Sequence, residues 1–239
     1  MARRRFFVDT VEGDIAELRG EDAHHLARVL RAEAGQQYEI SDGRQVYLAE
    51  IREAGKAVVR FEVLEKLETP EPLPLLTLYM ALIKFDRLEW VIEKATELGA
   101  TAIVPVECAR SESGLMAASV KRSERWRKIA RESGQQSRRL AAPEIGAAQR
   151  VQAIRPESVC YRLEELPGSA LLANLLTGVP GQAIGLLVGP EGGWADGERA
   201  ALDAAGWHRA SLGPLVLRAE TAAIAALAIA GQQLWQGGR

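Results

Sequence analysis

Three prolines within six residues, Thr69-Pro70-Glu71-Pro72-Leu73-Pro74, fall where the patterning of this chain changes. Each proline removes a backbone donor and fixes φ, so the stretch can continue neither a helix nor a central strand. Ahead of it the pattern is short. Phe6-Phe7-Val8, 37–40, 46–51 and 57–64 predict strands parted by glycine-containing turns, and one helix is expected over 24–31, where Leu26, Val29 and Leu30 share a face. Behind the prolines, strands at 75–81, 101–106, 183–188 and 208–212 alternate with helices at 87–98, 120–133, 196–205 and 221–235. Such alternation predicts a mostly parallel sheet covered by helices. The expected fold is therefore α/β, with a small β-rich domain over 1–68, a linker over 69–73 and a larger domain over 74–239. Residues 141–181 carry no clear periodicity.

At 239 residues and 47% hydrophobic content, the chain can bury a substantial core. Thirty basic side chains against 32 acidic ones leave a formal charge of −2, which argues against coating nucleic acid by bulk electrostatics. The charge is locally uneven, however. Arg3, Arg4 and Arg5 form one basic cluster, and Lys121, Arg122, Arg125, Arg127, Lys128, Arg131, Arg138 and Arg139 form a second, both suited to holding phosphates. Cys108 and Cys160 lack any paired ligand spacing, so no zinc site or disulfide framework is expected and both read as small buried residues. The apolar stretch 222–230 is too short and alanine-rich to span a bilayer, and the first five residues lead into no signal-peptide core; the expected location is the cytoplasm.

Chemistry concentrates in two loops. Gly189-Pro190-Glu191-Gly192-Gly193 follows the apolar run 184–188, and loops at the carboxyl ends of strands are where open α/β sheets bind ligands. Its glycines allow close backbone approach, although a plain tight turn explains the same residues. No Gly-Lys-Ser/Thr follows, so it is no Walker loop. The second loop, 211–221, places Arg218 and Glu220 around one alanine between apolar runs. Burial and pairing of one or both are expected there, and a purely structural ion pair is the rival reading. Alanines 222, 223, 225, 226, 228 and 230 would let the last helix pack closely, inside the domain or against a second copy.

Together with Lys84-Phe85-Asp86-Arg87 and 93–99, these loops resemble the 16S rRNA uracil-N3 methyltransferases of the SPOUT superfamily. The likeness runs from Arg5-Phe6-Phe7-Val8 through His24-His25-Leu26, Arg28-Val29-Leu30-Arg31, Gly35, Arg110-Ser111, Gln136-Ser137, Arg139 and Pro143 to 189–193 and 212–222. Leu215 stands where that family usually has a basic residue, Ala219 where it has threonine, and Gln135-Gln136-Ser137-Arg138-Arg139 replaces Glu-Gln-Ser-Gly-Arg.

The resemblance implies a SPOUT-type catalytic domain with a C-terminal trefoil knot, a preceding PUA-like RNA-binding barrel, and a homodimer. It implies S-adenosylmethionine (SAM) held by backbone groups around Leu187, Gly189, Glu191, Gly192, Gly193, Leu212, Gly213, Leu217 and Arg218, with the methyl going to N3 of one uridine in small-subunit rRNA. Arg218 is the expected stabiliser of negative charge on the uracil, and Glu191 the first carboxylate to test as a base. RNA contacts are expected from Arg3, Arg4, Arg5, Arg110, Lys121, Arg125, Arg138 and Arg139. His24 and His25 are read first as capping or core residues. Two rivals stand beside this reading: a non-catalytic RNA-binding assembly factor, and a knotted methylase acting on another RNA.

Overall fold

The computed structural model describes residues 5–156, 158–166, 168–177 and 182–235, and within them the chain divides into two compact units. One takes the chain up to Pro72 together with Arg131–Ala142; the other takes Leu73–Ala130 and everything from Pro143 onward.

The first unit is built on strands β1 (Arg5–Phe7), β2 (Thr10–Glu12), β3 (Ile15–Arg19), β4 (Gln37–Ser41), β5 (Val46–Ala54) and β6 (Val58–Leu67), in the order β1-β4-β5-β6-β3-β2. The two ends of that path are adjacent in the chain. Val8 N–H donates to the Ser41 carbonyl at 2.9 Å and Asp9 N–H to the Glu17 carbonyl at 2.9 Å, so the stretch 5–12 passes from one edge of the sheet to the other. Phe6, Leu18, Ile40, Ala49, Ile51, Val59 and Phe61 fill the interior, as alternation along a pleated strand requires. β2 and β3 form a hairpin turning on Gly13-Asp14, with Gly13 at φ 60, that the periodicity did not indicate.

The helix expected over 24–31 is instead α1 (Gly20–His24) followed by a π-helical turn over His25–Val29. The wider turn, closed by Leu30 N–H on the His25 carbonyl, rotates later residues off the buried face. Leu26 is buried while Val29 and Leu30 are exposed, against the expectation that all three share a core-facing side.

Arg131–Ala142 contributes Arg131, paired with Asp22, and Arg138, paired with Glu39, to the ion pairs of this unit. Arg5 is almost wholly buried and donates to Glu39 at 3.0 Å and to the Arg138 carbonyl at 2.6 Å, while Arg138, at φ 57, donates to the other Glu39 oxygen. Burial alone would raise the Glu39 carboxyl, but hydrogen bonds from Arg138 and Arg5 outweigh it and hold the group below the ordinary glutamate range. Glu39→Gln should therefore cost about 3 kcal/mol, because it strands a buried guanidinium. A folded-state value below the unfolded one means that the contribution is present above about pH 4.3 and fades as the pH falls through the folded value. Urea unfolding at pH 7 and pH 4 should show a smaller pH-dependent loss in the variant than in the parent.

The second unit holds β7 (Leu76–Ala81), α2 (Phe85–Glu97), β8 (Ala102–Glu107), the start of α3 (Leu115–Gln136), β9 (Glu144–Ile145), β10 (Gln149–Arg150), β11 (Val159–Leu163), α4 (Leu172–Leu175), β12 (Ile184–Val188), α5 (Asp196–Ala204), β13 (His208–Ala210) and α6 (Ala219–Trp235). Every strand pairing in its sheet is parallel, in the order β10-β8-β7-β12-β11-β13, with β9 beside β8. β12 is buried along its whole length, which is why it reads as an unbroken apolar run rather than an alternation. α2 lays Leu88, Val91, Ile92 and Ala95 on the sheet at helical spacing and ends at Gly99, whose φ of 88 suits a glycine closing a helix. α6 buries Ala223, Ala226, Leu227, Ala230 and Leu234 in the same core, so part of its alanine content serves internal packing. Both cysteines are buried thiols outside any disulfide, and burial, with the Glu198 carboxylate adding to it, pushes the Cys108 thiol well above its usual range.

Candidate active site

Three parallel strands of the second unit end side by side, and the loops leaving their carboxyl ends enclose a cavity of about 470 Å³. β11 delivers Leu163, Glu164 and Glu165; β12 delivers Val188, Gly189, Pro190, Glu191, Gly193 and Trp194; the loop after β13 delivers Leu212, Gly213 and 215–219. Parallel strands direct their loops to one edge, so residues distant in sequence converge there. The size is that of a pocket for a drug-sized ligand. Arg87, in the first turn of α2, and Ala222, in the first turn of α6, complete the wall.

The glycine loop is a tight turn in which Gly193 N–H donates to the Pro190 carbonyl at 2.8 Å, with Gly193 at φ 68. Trp194, almost fully buried, anchors it. Its indole N–H donates to the Leu163 carbonyl at 2.9 Å, tying the end of β11 to the loop after β12, and its ring lies where a Cβ on Gly189 would come within 2.9 Å. Glu198 fastens the far side, accepting from Ala195 N–H at 2.9 Å and from Ala109 N–H at 2.6 Å.

Of the residues expected to hold a ligand, Gly189, Glu191, Gly193, Leu212, Gly213, Leu217 and Arg218 all line the cavity. Leu187 and Gly192 do not. The Leu187 side chain points to the opposite face of β12, into a cluster with Cys108, Trp194 and Trp207, because neighbouring residues on a strand alternate sides. A Cβ on Gly192 would meet Arg110 at 3.1 Å, and the Gly192 carbonyl accepts from the Arg110 guanidinium at 2.7 Å.

Of the burial and pairing expected for one or both of Arg218 and Glu220, Glu220 shows it, with Arg87 as its partner, and Arg218 does not. Arg218 is exposed and its side chain has no hydrogen-bond or ionic partner among the described residues, whereas Glu220 is mostly buried with its Oε2 unpartnered and Arg87 Nε 3.9 Å from Oε1. Arg87 also forms an ion pair with Glu191. Arg87 belonged to the motif 84–87 but carried no assigned role; its place in the wall depends on α2 packing beside the loop, which no local pattern reports. Glu164 and Glu165 were likewise missed, since β11 lies in the segment without periodicity. Glu164 is already compensated: its carboxylate accepts from Arg199 at 3.1 Å and faces the fully buried Arg162 at 3.6 Å. Burial pulls the Arg162 guanidinium below its ordinary value, against the pull of Asp203 and Glu164.

The expected RNA contacts separate into three groups. Arg3 and Arg4 lie outside the described residues. Arg5 and Arg138 are committed to Glu39, and Arg139 is partly buried, its guanidinium donating to the Ala141 carbonyl at 3.2 Å and its pKa pulled down to about 10 by burial. A free phosphate contact from Arg5 is thus overturned, since it is a strand residue in a buried ion pair rather than part of a loose basic terminus. In the second unit, Arg125 shares Glu89 with Arg122, Lys121 is exposed, and Arg110 abuts the glycine loop. Among the described residues, no group of side chains suits a metal ion and no helix is long and apolar enough to cross a membrane.

A sheet of parallel strands with a ligand-sized pocket where three of them end, joined to a small β unit, is the setting in which the comparisons with known proteins fall. A family model for an RNA methyltransferase domain matches residues 69–231, and one for an RNA methyltransferase PUA domain matches 18–63. The chain is 34% identical to ribosomal RNA small subunit methyltransferase E of Mycobacterium tuberculosis, over 97% of this chain and 92% of that protein. It is 32% identical to the protein of the same name from Bacillus subtilis, over 96% of each. The crystal structure of the Neisseria gonorrhoeae ribosomal RNA small subunit methyltransferase E bound to S-adenosyl methionine superposes with a TM-score of 0.86, at 27% identity and 98% coverage of both chains. This chain belongs to the ribosomal RNA small subunit methyltransferase E family.

Proposed function

We propose that the protein transfers a methyl group from SAM to N3 of a specific uridine in 16S ribosomal RNA. The observation that carries this reading is the single cavity made by the glycine loop and the loop ending at Arg218, with that arginine unpaired. The cavity fits the cofactor chemically. Val188, Leu212, Leu217 and Ala222 offer apolar surface for a base and a sulfonium, while Glu165 and Glu191 offer carboxylates for cationic groups. Gly189, Glu191, Gly193, Leu212, Gly213 and Leu217 would hold it, and bound SAM supplies an electrophilic methyl.

The remaining work falls to the chain. Uracil N3 is protonated at neutral pH, so the site must favour loss of that proton and the negative charge it leaves on the ring carbonyls. Arg218 is the cation available for that charge, having no internal partner to give up. Arg87 holds Glu191 at the cavity edge, where its carboxylate can only accept hydrogen bonds, the role a proton acceptor needs. Apolar lining residues exclude water on one side and strengthen these interactions.

The domain division 1–68 and 74–239, with the first part a PUA-like barrel and the second carrying the trefoil knot, completes the reading, as does a homodimer. The dimer is supported by Leu215 and Val216, 78% and 77% exposed beside the cavity, and by light scattering should give twice the chain mass. With a ribosomal substrate, the cytoplasm is the location this reading assigns. Incubation with SAM and small-subunit rRNA, followed by nucleotide mapping, should place one methyl on N3 of one uridine; a ribose methyl, or none, refutes the proposal.

The first two glycines of the loop give a further expected outcome. Gly189→Ala presses on the buried Trp194 ring and should cost about 1–3 kcal/mol. Calorimetry should show SAM affinity at least about tenfold weaker, whereas Gly192→Ala displaces only Arg110 and should stay within about threefold.

A further inference from the structure

Arg28, Val29, Leu30 and Arg31 of the first unit are exposed in succession, Val29 by 61% and Leu30 by 43%. They stand where the π-helical turn ends, on a backbone fixed from both sides. Ala23, Leu26 and Ala32 are buried in the unit's core, and Ala32 N–H donates to the Leu26 carbonyl at 3.1 Å. The turn closes with Arg31 at φ 51, a left-handed conformation that costs a residue with a Cβ and that glycine adopts freely. Both π-turns and strained non-glycine residues concentrate where function needs a side chain in place.

Arg28 and Arg31 have no ionic or hydrogen-bond partner among the described residues. Arg5, Arg19, Arg52, Arg60, Arg131 and Arg138 of the same unit are each tied to a carboxylate. Of the acids near the turn, Asp22 is taken up by Arg131 and Gln135, which leaves Glu21 and Glu33 as the exposed ones close in sequence. In a chain of net charge −2, two uncommitted guanidinium groups flanking two aliphatic side chains match a polyanion that also carries apolar surface.

We propose that the Arg28–Arg31 turn is the RNA-docking contact of the first unit, its arginines on backbone phosphates and Val29 and Leu30 against an unstacked nucleotide. The proposal rests on the RNA methyltransferase reading. It moves the contact from Arg5 and Arg138, which serve Glu39, to side chains without a partner among the described residues.

Arg31→Gly separates docking from folding, since it removes the guanidinium and relieves the φ. Thermal stability should hold or rise while affinity for a small-subunit rRNA fragment falls. In the double variant Arg28→Ala/Arg31→Gly, the slope of log affinity against log salt should shrink by about 1.4, about 0.7 for each phosphate contact, with roughly fivefold weaker binding per contact at 0.1 M salt. SAM affinity should not change. Unaltered RNA affinity and slope in that variant, while the parent binds the fragment, overturn the proposal and leave the methyltransferase reading intact; a parent that binds no RNA overturns both. Val29→Ser/Leu30→Ser should weaken RNA binding at unchanged molecular mass. A changed mass with RNA affinity preserved makes the surface a contact between protein copies and refutes RNA docking.

Discussion

Arg218→Ala is expected to slow methyl transfer by about 10²–10³-fold, the loss seen when one preorganised donor to a developing anion is removed. The reasoning starts from what the side chain does not do. It is exposed and makes no hydrogen bond or ion pair among the described residues, so its removal should change folding stability by no more than about 0.5 kcal/mol. An interaction made only as charge develops lowers kcat and kcat/KM together, whereas a lost RNA phosphate contact raises KM and spares kcat. Steady-state kinetics at saturating SAM distinguish the two, and Arg218→Lys should recover part of kcat because it restores the charge without the planar fork.

Trp194→Ala is expected to be the most damaging single change to the pocket's framework. The ring is almost fully buried, packs beneath Gly189, and donates to the Leu163 carbonyl, so alanine leaves both a cavity and an unpaired acceptor between two of the three loops. A loss of about 3–5 kcal/mol follows from comparable aromatic truncations. Chemical denaturation should show it as a lowered midpoint with the slope retained. SAM affinity should collapse even where the protein remains folded, because Gly189 and Leu163 would no longer be held in register. Trp194→Phe should keep most of the packing and lose the hydrogen bond alone, about 1–3 kcal/mol for a buried acceptor left unpaired.

Strong periodicity makes most of the second unit legible in the amino-acid sequence. The spacing of Leu88, Val91, Ile92 and Ala95 marks α2, the apolar run ending at Val188 marks β12, and their alternation implies a parallel sheet. β11 is not legible, since Val159–Leu163 mixes Arg162 into a buried strand, where its charge is met by Glu164, two residues on, and by Asp203 of α5. The hairpin of β2 and β3 carries a usable signal in Gly13-Asp14 between alternating residues, but its strands are short and interrupted by Glu12, Glu17 and Arg19. No local pattern announces that Arg131–Ala142 belongs with the first unit, because one helix runs continuously through Ala130.

The site divides in the same way. Positions such as Gly189, Gly193 and Gly213 can be picked out from sequence because glycine permits turns and close backbone approach after a strand, although Gly192 of the same turn does not line the cavity. Side-chain partnerships cannot. Whether Arg218 meets Glu220, or Arg5 meets a phosphate, depends on which carboxylate the fold brings nearest; the structure gives Glu220 and Glu191 to Arg87, and Glu39 to Arg5.

A crystal structure of this protein grown with SAM tests the central claim most directly. The account predicts cofactor density between the turn 189–193 and the segment 212–218, against the backbone of Gly189 and Leu212. Density at any other place in the protein, with that space holding only solvent, contradicts it.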